Sequence, residues 1–419
     1  MFTVFNTALS GLKANSTAID IIGNNLANLN TTAYKADVVE FQDLMSQQLE
    51  GSSASSQIGL GVSGAESVAQ FTQGSVTQTA GAYDAAIQGN GFFVVSGANK
   101  QLLYTRAGNF TLDPTGHLQT AGGDYVQGWN AVAGVVNTNT AVSDILLPLN
   151  GVSPATATTN MSATVNLNAS ATAGTTDGTY SAPIKVVDAQ GGTHTLTVTF
   201  TKSASGSNSW DYSITIPDAD LATPSGGTPL ATGTLTFDGT GKLTSPAATD
   251  PPVAVAITGL ADGASDMNIN WKLYDSNGNG LVTQFAQASG VSSTSQDGFQ
   301  AGQITNVGIA NGGLLVATYS NGQTANVGQL ALASIENPGT MLSVGNNNLQ
   351  PGSDTTAPAI GAAGSGGRGQ ILGQSLEAST VDIATEFANL MAFQQSYQAN
   401  SRVITTADQM TQDLIGLIR

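Results

Sequence analysis

The chain has 419 residues, room for about two to four domains, with 28 acidic against 11 basic residues and a net charge of −17 at pH 7. Charged residues make up only 9% and no Lys/Arg cluster exists, so this acidic surface repels phosphate backbones and anionic lipid, which excludes nucleic-acid binding. The absence of cysteine excludes a disulfide framework, a thiolate nucleophile and a Cys-ligated metal.

The first element in chain order is a helix from Phe2 to about Asn28, drawn by apolar residues seven apart. Phe5, Leu12, Ile19 and Leu26 form one register, with Phe2 and Leu9 beside it. Gly23 and the run Asn24-Asn25-Leu26-Ala27-Asn28 weaken the helix, because Asn and Gly favour caps and turns. Met1 to Ser10 lacks the basic and continuous apolar regions of a cleaved signal peptide, so exit from the cell would need another route. No run approaches the ~18 apolar residues of a membrane span, and membrane insertion is not expected.

Next, Gly59-Leu60-Gly61-Val62-Ser63-Gly64 matches G-x-G-x-x-G. A dinucleotide site needs a strand before those glycines and a helix after them, whereas strand and loop material surrounds these, so no cofactor is expected. The long middle alternates with period two. Leu196, Val198 and Phe200 are interleaved with threonines, and Trp210, Tyr212, Ile214 and Ile216 with other polar residues, which predicts half-buried strands joined as a hairpin through 203–209. Two stretches echo each other, Thr111-Leu112-Asp113-Pro114-Thr115-Gly116 and Thr236-Phe237-Asp238-Gly239-Thr240-Gly241. Both read as strand, Asp-opened turn, strand.

Few residues here suggest chemistry. His117 is expected to be a solvated turn residue and His194 a sheet-edge side chain. Asp275-Ser276-Asn277-Gly278-Asn279-Gly280 resembles half a calcium loop, but the closing position holds Ala286 instead of a bidentate Glu, so a plain turn and no metal is expected. With two histidines and no nucleophile elbow, no catalytic residue is identified. Paired carboxylates of a glycosidase and a secreted adhesin or glycan-binding protein are the alternatives from other classes.

After a Pro/Gly/Ser-rich connector at 351–367, the last element is a second helix, starting near Ser379 or Thr380 as N-cap and running toward Leu417. Ile383, Leu390, Tyr397 and Ile404 form its seven-residue register, with Phe387 on an adjoining position. At ~1.5 Å per residue the two helices span roughly 40 and 55 Å, and their apolar stripes are expected to pair with each other or with copies of themselves.

The run Ile22-Gly23-Asn24-Asn25-Leu26-Ala27-Asn28, followed by Thr32-Ala33-Tyr34-Lys35, resembles the N-terminal signature of bacterial flagellar rod and hook axial proteins, with Gly23, Asn24, Asn25, Ala27, Asn28, Tyr34 and Lys35 as its core. The segment Ser375-Leu376-Glu377-Ala378-Ser379-Thr380-Val381-Asp382 and Tyr397-Gln398-Ala399-Asn400-Ser401 resemble that family's C-terminus. Tyr83–Phe93 and Tyr104-Thr105-Arg106-Ala107-Gly108-Asn109-Phe110 resemble its shared inner segments, and Val187-Asp188-Ala189-Gln190-Gly191 the outer domain of its hook members. Ala33 stands where the family usually has glycine, so a less sharp turn is expected there. Extra residues at 47–57 resemble rod members and make a distal rod subunit the runner-up.

The resemblance implies a mainly β fold with two antiparallel-sheet β domains and an α-helical coiled-coil domain formed by both chain ends. It implies four regions: 1–30 with 371–419 as a helical inner domain, 31–70 with 356–370 as a connector, 71–145 with 285–355 as a middle β domain, and 146–284 as an outer β domain. It also implies a structural, non-enzymatic subunit of a curved tube that transmits torque. The implied partners are copies of itself, the distal rod protein, the hook cap protein, the hook–filament junction protein and the flagellar export apparatus. The implied polymerisation interface is the two apolar stripes.

Overall fold

The computed structural model describes residues 2–44, 47–48, 57–204, 206 and 208–417. They form two compact units. The first takes residues up to Leu149, Asn306–Ala317 and everything from Thr324; the second takes Asn150–Thr305 and Thr318–Gln323.

In the second unit, the period-two pattern becomes two sheets over one core. One sheet is antiparallel throughout, in the order Thr179–Val187, Thr193–Lys202, Ser209–Thr215, Ala231–Phe237, Leu243–Ser245. Lys202 pairs with Trp210, so the hairpin stands as the alternation predicts. Leu196, Val198, Phe200, Trp210, Tyr212 and Ile214 point inward because successive side chains on a strand alternate faces. The other sheet is built on Asn160–Asn168, which pairs in parallel with Met267–Lys272 and Val282–Phe285 and antiparallel with Gly290–Gln296. Trp271 from this sheet meets Tyr212 and Phe200 from the first at ring distances of 5.1 and 6.1 Å, and these large aromatics fill the space between the layers.

The echoed hairpins share one turn, and the structure adds two more copies. At Asp113, Asp188, Asp238 and Asp275 the carboxylate accepts the backbone N–H groups two and four residues on. Three residues on, a glycine (Gly116, Gly191, Gly241, Gly278) adopts a positive φ, which an L side chain disfavours. Asp275 thus uses its carboxylate to close its own turn.

His194 differs from its sequence expectation. It is 6% exposed and faces three carboxylates, because the strands that flank its own cover it and the loops after them fold over it.

In the first unit the main sheet runs Thr324–Leu330, Tyr125–Asn130, Phe92–Ser96, Leu102–Thr105, Asn348–Pro351, Met341–Gly345, all antiparallel. Short ladders join the outgoing and returning chain: Ala85–Gln88 with Gln370–Gly373, and Val76–Gln78 with Ser375–Glu377. Asp37–Glu40 pairs with Glu66–Ala69. Gln47–Gln48 pairs with Gln57–Ile58, and most of the extra 47–57 segment lies outside the described residues.

Two helices complete this unit, α1 (Phe2–Ala27) and α2 (Ile383–Leu417). The first ends where the asparagines take over, with Asn28 donating from its amide to Asn24 and Asn25 carbonyls. The second starts two or three residues later than expected. Its cap is Asp382, whose carboxylate accepts the Thr385 N–H at 2.8 Å and is held below the usual carboxylate range by that bond. Thr380 is used elsewhere: its hydroxyl accepts the Ala36 N–H and its own N–H donates to the Tyr34 carbonyl.

Candidate assembly interface and its buried anchor

The helices pack antiparallel, with Asn25 opposite Glu386 and Gly11 opposite Asn400. A Cβ at Gly11 would sit 3.0 Å from Asn400 Nδ2, so glycine there leaves room for the Asn400 side-chain amide. Among its described residues α1 buries Ala8, Ala14, Ala18, Ile22 and Asn25, which fall on one side of the helix and are spaced three or four apart from Ala14 onward. Of the two pairings expected for the large apolar stripes, the close one within the chain is made instead by small residues, which leaves contact with copies as the role of the stripes. Small residues let the helices come together, and the bulky side chains are pushed to the flanks.

The expected interface residues accordingly divide. Leu9, Leu12, Ile19, Leu26, Leu390 and Ile404 are half-buried beside the seam. Phe5, Ile383, Phe387, Met391 and Tyr397 are exposed, as are Met410, Leu414 and Ile415 toward the end of α2. Phe387 and Met391, one turn apart on α2, are 51% and 58% exposed. The side chain of Phe2 lies outside the described residues. Large apolar side chains gathered on one helix are not the scattered exposures a monomer surface normally shows.

The helix pair is held by two buried polar clusters built from the signature residues. In the first, Asn25 is fully buried and fills its hydrogen-bonding capacity. Its Nδ2 donates to the Asp37 carbonyl (2.8 Å) and to Glu386 Oε1 (3.0 Å), and its Oδ1 accepts from the Asp37 N–H (3.0 Å) and the Tyr34 hydroxyl (3.2 Å). Burial, with Asp37 and Glu386 close by, pushes the Tyr34 hydroxyl up to about 12, so it remains a donor. Burial also pushes the Glu386 carboxyl up, opposed by the Asn25 amide. No shorter or apolar side chain could replace these four bonds, which accounts physically for asparagine at this place.

The second cluster centres on Glu377, whose side chain is wholly buried. Oε1 accepts from Lys35 Nζ (2.6 Å) and the Gly74 N–H (2.8 Å), and Oε2 from Arg106 Nη1 (3.4 Å). Lys35 also donates to the Thr72 carbonyl and Arg106 to the Gly89 carbonyl, and the guanidinium lies 5.4 Å over the Phe92 ring. Burial lowers the Lys35 and Arg106 values, while Glu377 acts in the opposite sense on both. Two of the chain's 11 basic residues and one glutamate, far apart in sequence, thus meet in one site.

The turn between the clusters corrects another expectation. Ala33 adopts φ +57°, the left-handed conformation glycine would take, so the turn is sharp despite the side chain. Its N–H donates to the Glu377 carbonyl and Asn347 Nδ2 donates to the Thr32 carbonyl, and these contacts hold the strained residue in place. Ala33→Gly is expected to raise stability by about 0.5–1 kcal/mol, measured by urea unfolding of dilute chain, because the strain removed exceeds the entropy glycine adds. Of the other signature residues, Asn24 and Asn28 bond each other and cap α1, while Gly23 and Ala27 are exposed.

Known proteins carry the same segments in the same order. Family models match along the chain: "Flagella basal body rod protein" at 5–35, "Flagellar hook protein FlgE/F/G D1 domain" at 86–220, "Flagellar basal body protein FlaE D2 domain" at 155–299 and "Flagellar basal body rod FlgEFG protein C-terminal" at 372–417. The flagellar hook protein FlgE of Borreliella burgdorferi is 32% identical, covering 98% of both chains, and that of Escherichia coli is 32% identical, covering 99% of both. The chain belongs to the flagellar hook protein family. The crystal structure of Helicobacter pylori flagellar hook protein FlgE2 aligns with a TM-score of 0.48 at 15% identity, over 71% of this chain and 99% of that one; the assignment rests on the sequence relatives.

As a hook family member the chain is a structural subunit of the flagellum and not an enzyme. The hook relatives match end to end, which disfavours the rod reading suggested by residues 47–57. The first and last family models fall on α1 with its turn and on α2, the parts held by Asn25 and Glu377. G-x-G-x-x-G has a packing role instead: a Cβ on Gly61, at φ +101°, would strike Ser10 Oγ, so glycine lets this loop lie against α1. No helix among the described residues is long and apolar enough to cross a membrane.

Proposed function

We propose that the exposed apolar faces of α1 and α2 are the contacts by which subunits polymerise into the hook tube. The observation that carries this reading is the set of large apolar side chains on α2, Phe387 and Met391 near its start and Met410, Leu414 and Ile415 near its end, left exposed on a helix already anchored through its first turns. Burying each such side chain against a neighbour contributes roughly 1.5–3 kcal/mol, so a few per subunit sustain a polymer. The inner domain is formed by 1–30 with 371–419 and the connector by 31–70 with 356–370. A middle domain takes most of 71–145 and the residues returning to it, and an outer domain centres on 146–284, with strand Gly290–Gln296 folding alongside it.

The outer strands present threonine, serine and asparagine to solvent. Such faces slide over neighbours without a deep apolar lock, so a tube with firm inner contacts bends while it turns. The proposed partners are the distal rod, hook cap and hook–filament junction proteins and the flagellar export apparatus. Electron microscopy of concentrated full-length protein tests the reading: tubes are expected, and persistent monomers that bind glycans would support the adhesin alternative.

A further inference from the structure

His194 opens strand Thr193–Lys202 in the second unit. Its Nε2 lies 2.9 Å from Asp188 Oδ2 and 3.5 Å from Asp262 Oδ2, and its Nδ1 lies 3.4 Å from Asp220 Oδ2 without an aligned hydrogen bond. The three carboxylates come from three segments: the Asp188 turn, the Asp218–Asp220 turn and the turn after Leu260. Among the described residues, none of them pairs with a lysine or arginine. Gly192 keeps this space open, since a Cβ there would strike Asp188 Oδ2 and crowd Asp262 Oδ2.

A neutral imidazole carries one N–H, so one of its nitrogens would present a lone pair to a carboxylate. Only the doubly protonated ring is attracted from both sides. We infer that His194 is an imidazolium clasp that ties the Asp220 and Asp262 turns to the Asp188 hairpin, and that losing its proton opens the Asp220 corner.

The corner follows from the geometry. Asp188 is fixed by the Gln190 and Gly192 N–H groups on its other oxygen, and its contact with the ring is the shortest. The neutral ring keeps Nε2–H on Asp188 and turns its Nδ1 lone pair toward Asp220. The backbone that loosens is the ladder Ala222 N–H to Gly259, Ala261 N–H to Asp220 and the Leu221–Leu260 bridge. Burial disfavours the charged ring, but the neighbouring carboxylates outweigh it and raise its value above the ordinary 6.5. A raised folded-state value means the clasp is complete below about pH 6.5 and is lost as pH rises through that higher value.

The test uses dilute full-length chain with labelled histidine, assigned through His117→Gln because His117 is the other histidine. Two results are expected: His194 titrates above the ordinary histidine value, and amide exchange at Leu221, Ala222 and Ala261, corrected for intrinsic base catalysis, rises by about tenfold as the ring deprotonates. In Asp220→Asn the pH step in exchange should vanish while the fold and the distant strand amides stay unchanged. Titration at or below the ordinary value, or the same pH step in Asp220→Asn, overturns the inference. So does a step that appears only with added Zn²⁺ and disappears with EDTA, because the ring would then hold a metal and not a proton.

Discussion

Glu377→Ala is expected to destabilise the first unit by about 3–5 kcal/mol, measured by urea unfolding of dilute full-length chain. The substitution leaves Lys35 and Arg106 facing each other with their anion gone, and both side chains are only 8% exposed. It also strips the Gly74 N–H of its acceptor. The cluster joins the turn after α1, the strand Leu102–Thr105 that leads into Arg106, and the segment that leads into α2, so its loss frees both helices from the sheet. Tube formation should fail with it. Replacing all three residues together (Lys35→Met, Arg106→Leu, Glu377→Leu) should recover much of the stability, because no charge is left buried and unpaired. A loss under about 1 kcal/mol for Glu377→Ala would mean that water reaches the cluster and that the node does not hold the helices.

The second large effect separates assembly from folding. Phe387→Ser with Met391→Ser should abolish tubes at concentrations where the unchanged chain forms them, while the monomer unfolds within about 0.5 kcal/mol of the original. Both side chains are more than half exposed in the monomer, so their removal leaves no internal cavity. If each buries about 1.5–3 kcal/mol at a subunit contact, the critical concentration rises by about two orders of magnitude or more. Sedimentation of polymer against monomer reads this directly. Normal polymer from the double variant would place the contact elsewhere.

Much of this was legible in the residues. Strict alternation at Leu196–Phe200 and Trp210–Ile214 leaves one choice of inward face, so strands and hairpin follow from period two alone. The extent of α1 was readable because Asn24 to Asn28 carries its own stop signal. The helix seam is less legible: Ala8, Ala14, Ala18 and Ile22 lie on one side of the helix, but Phe5 and Leu12 carry the stronger apolar signal, and size does not reveal which face meets a partner. The start of α2 was missed because Ser379, Thr380 and Asp382 can all cap, and only tertiary contacts show that Thr380 is already engaged.

The Glu377 cluster was out of reach for a different reason. Lys35, Arg106 and Glu377 each fall within a separate motif, but ion pairs of large sequence separation leave no local pattern. The one available hint was scarcity, since a chain with 11 basic residues placed two of them inside motifs. His194 was likewise misread because its neighbours Asp220 and Asp262 arrive from distant turns. Ala33 shows the reverse case, where a departure from glycine changed the residue without changing the backbone it must adopt.

A helical reconstruction of the assembled tube, at a resolution that shows side chains, tests the central claim most directly. The claim requires Phe387, Met391, Met410 and Leu414 to be buried against α1 or α2 of neighbouring subunits, with the Asn25–Glu386 and Lys35–Glu377 contacts intact inside each one. A tube in which these side chains border open water, while the subunits are held through the β sheets, would contradict it.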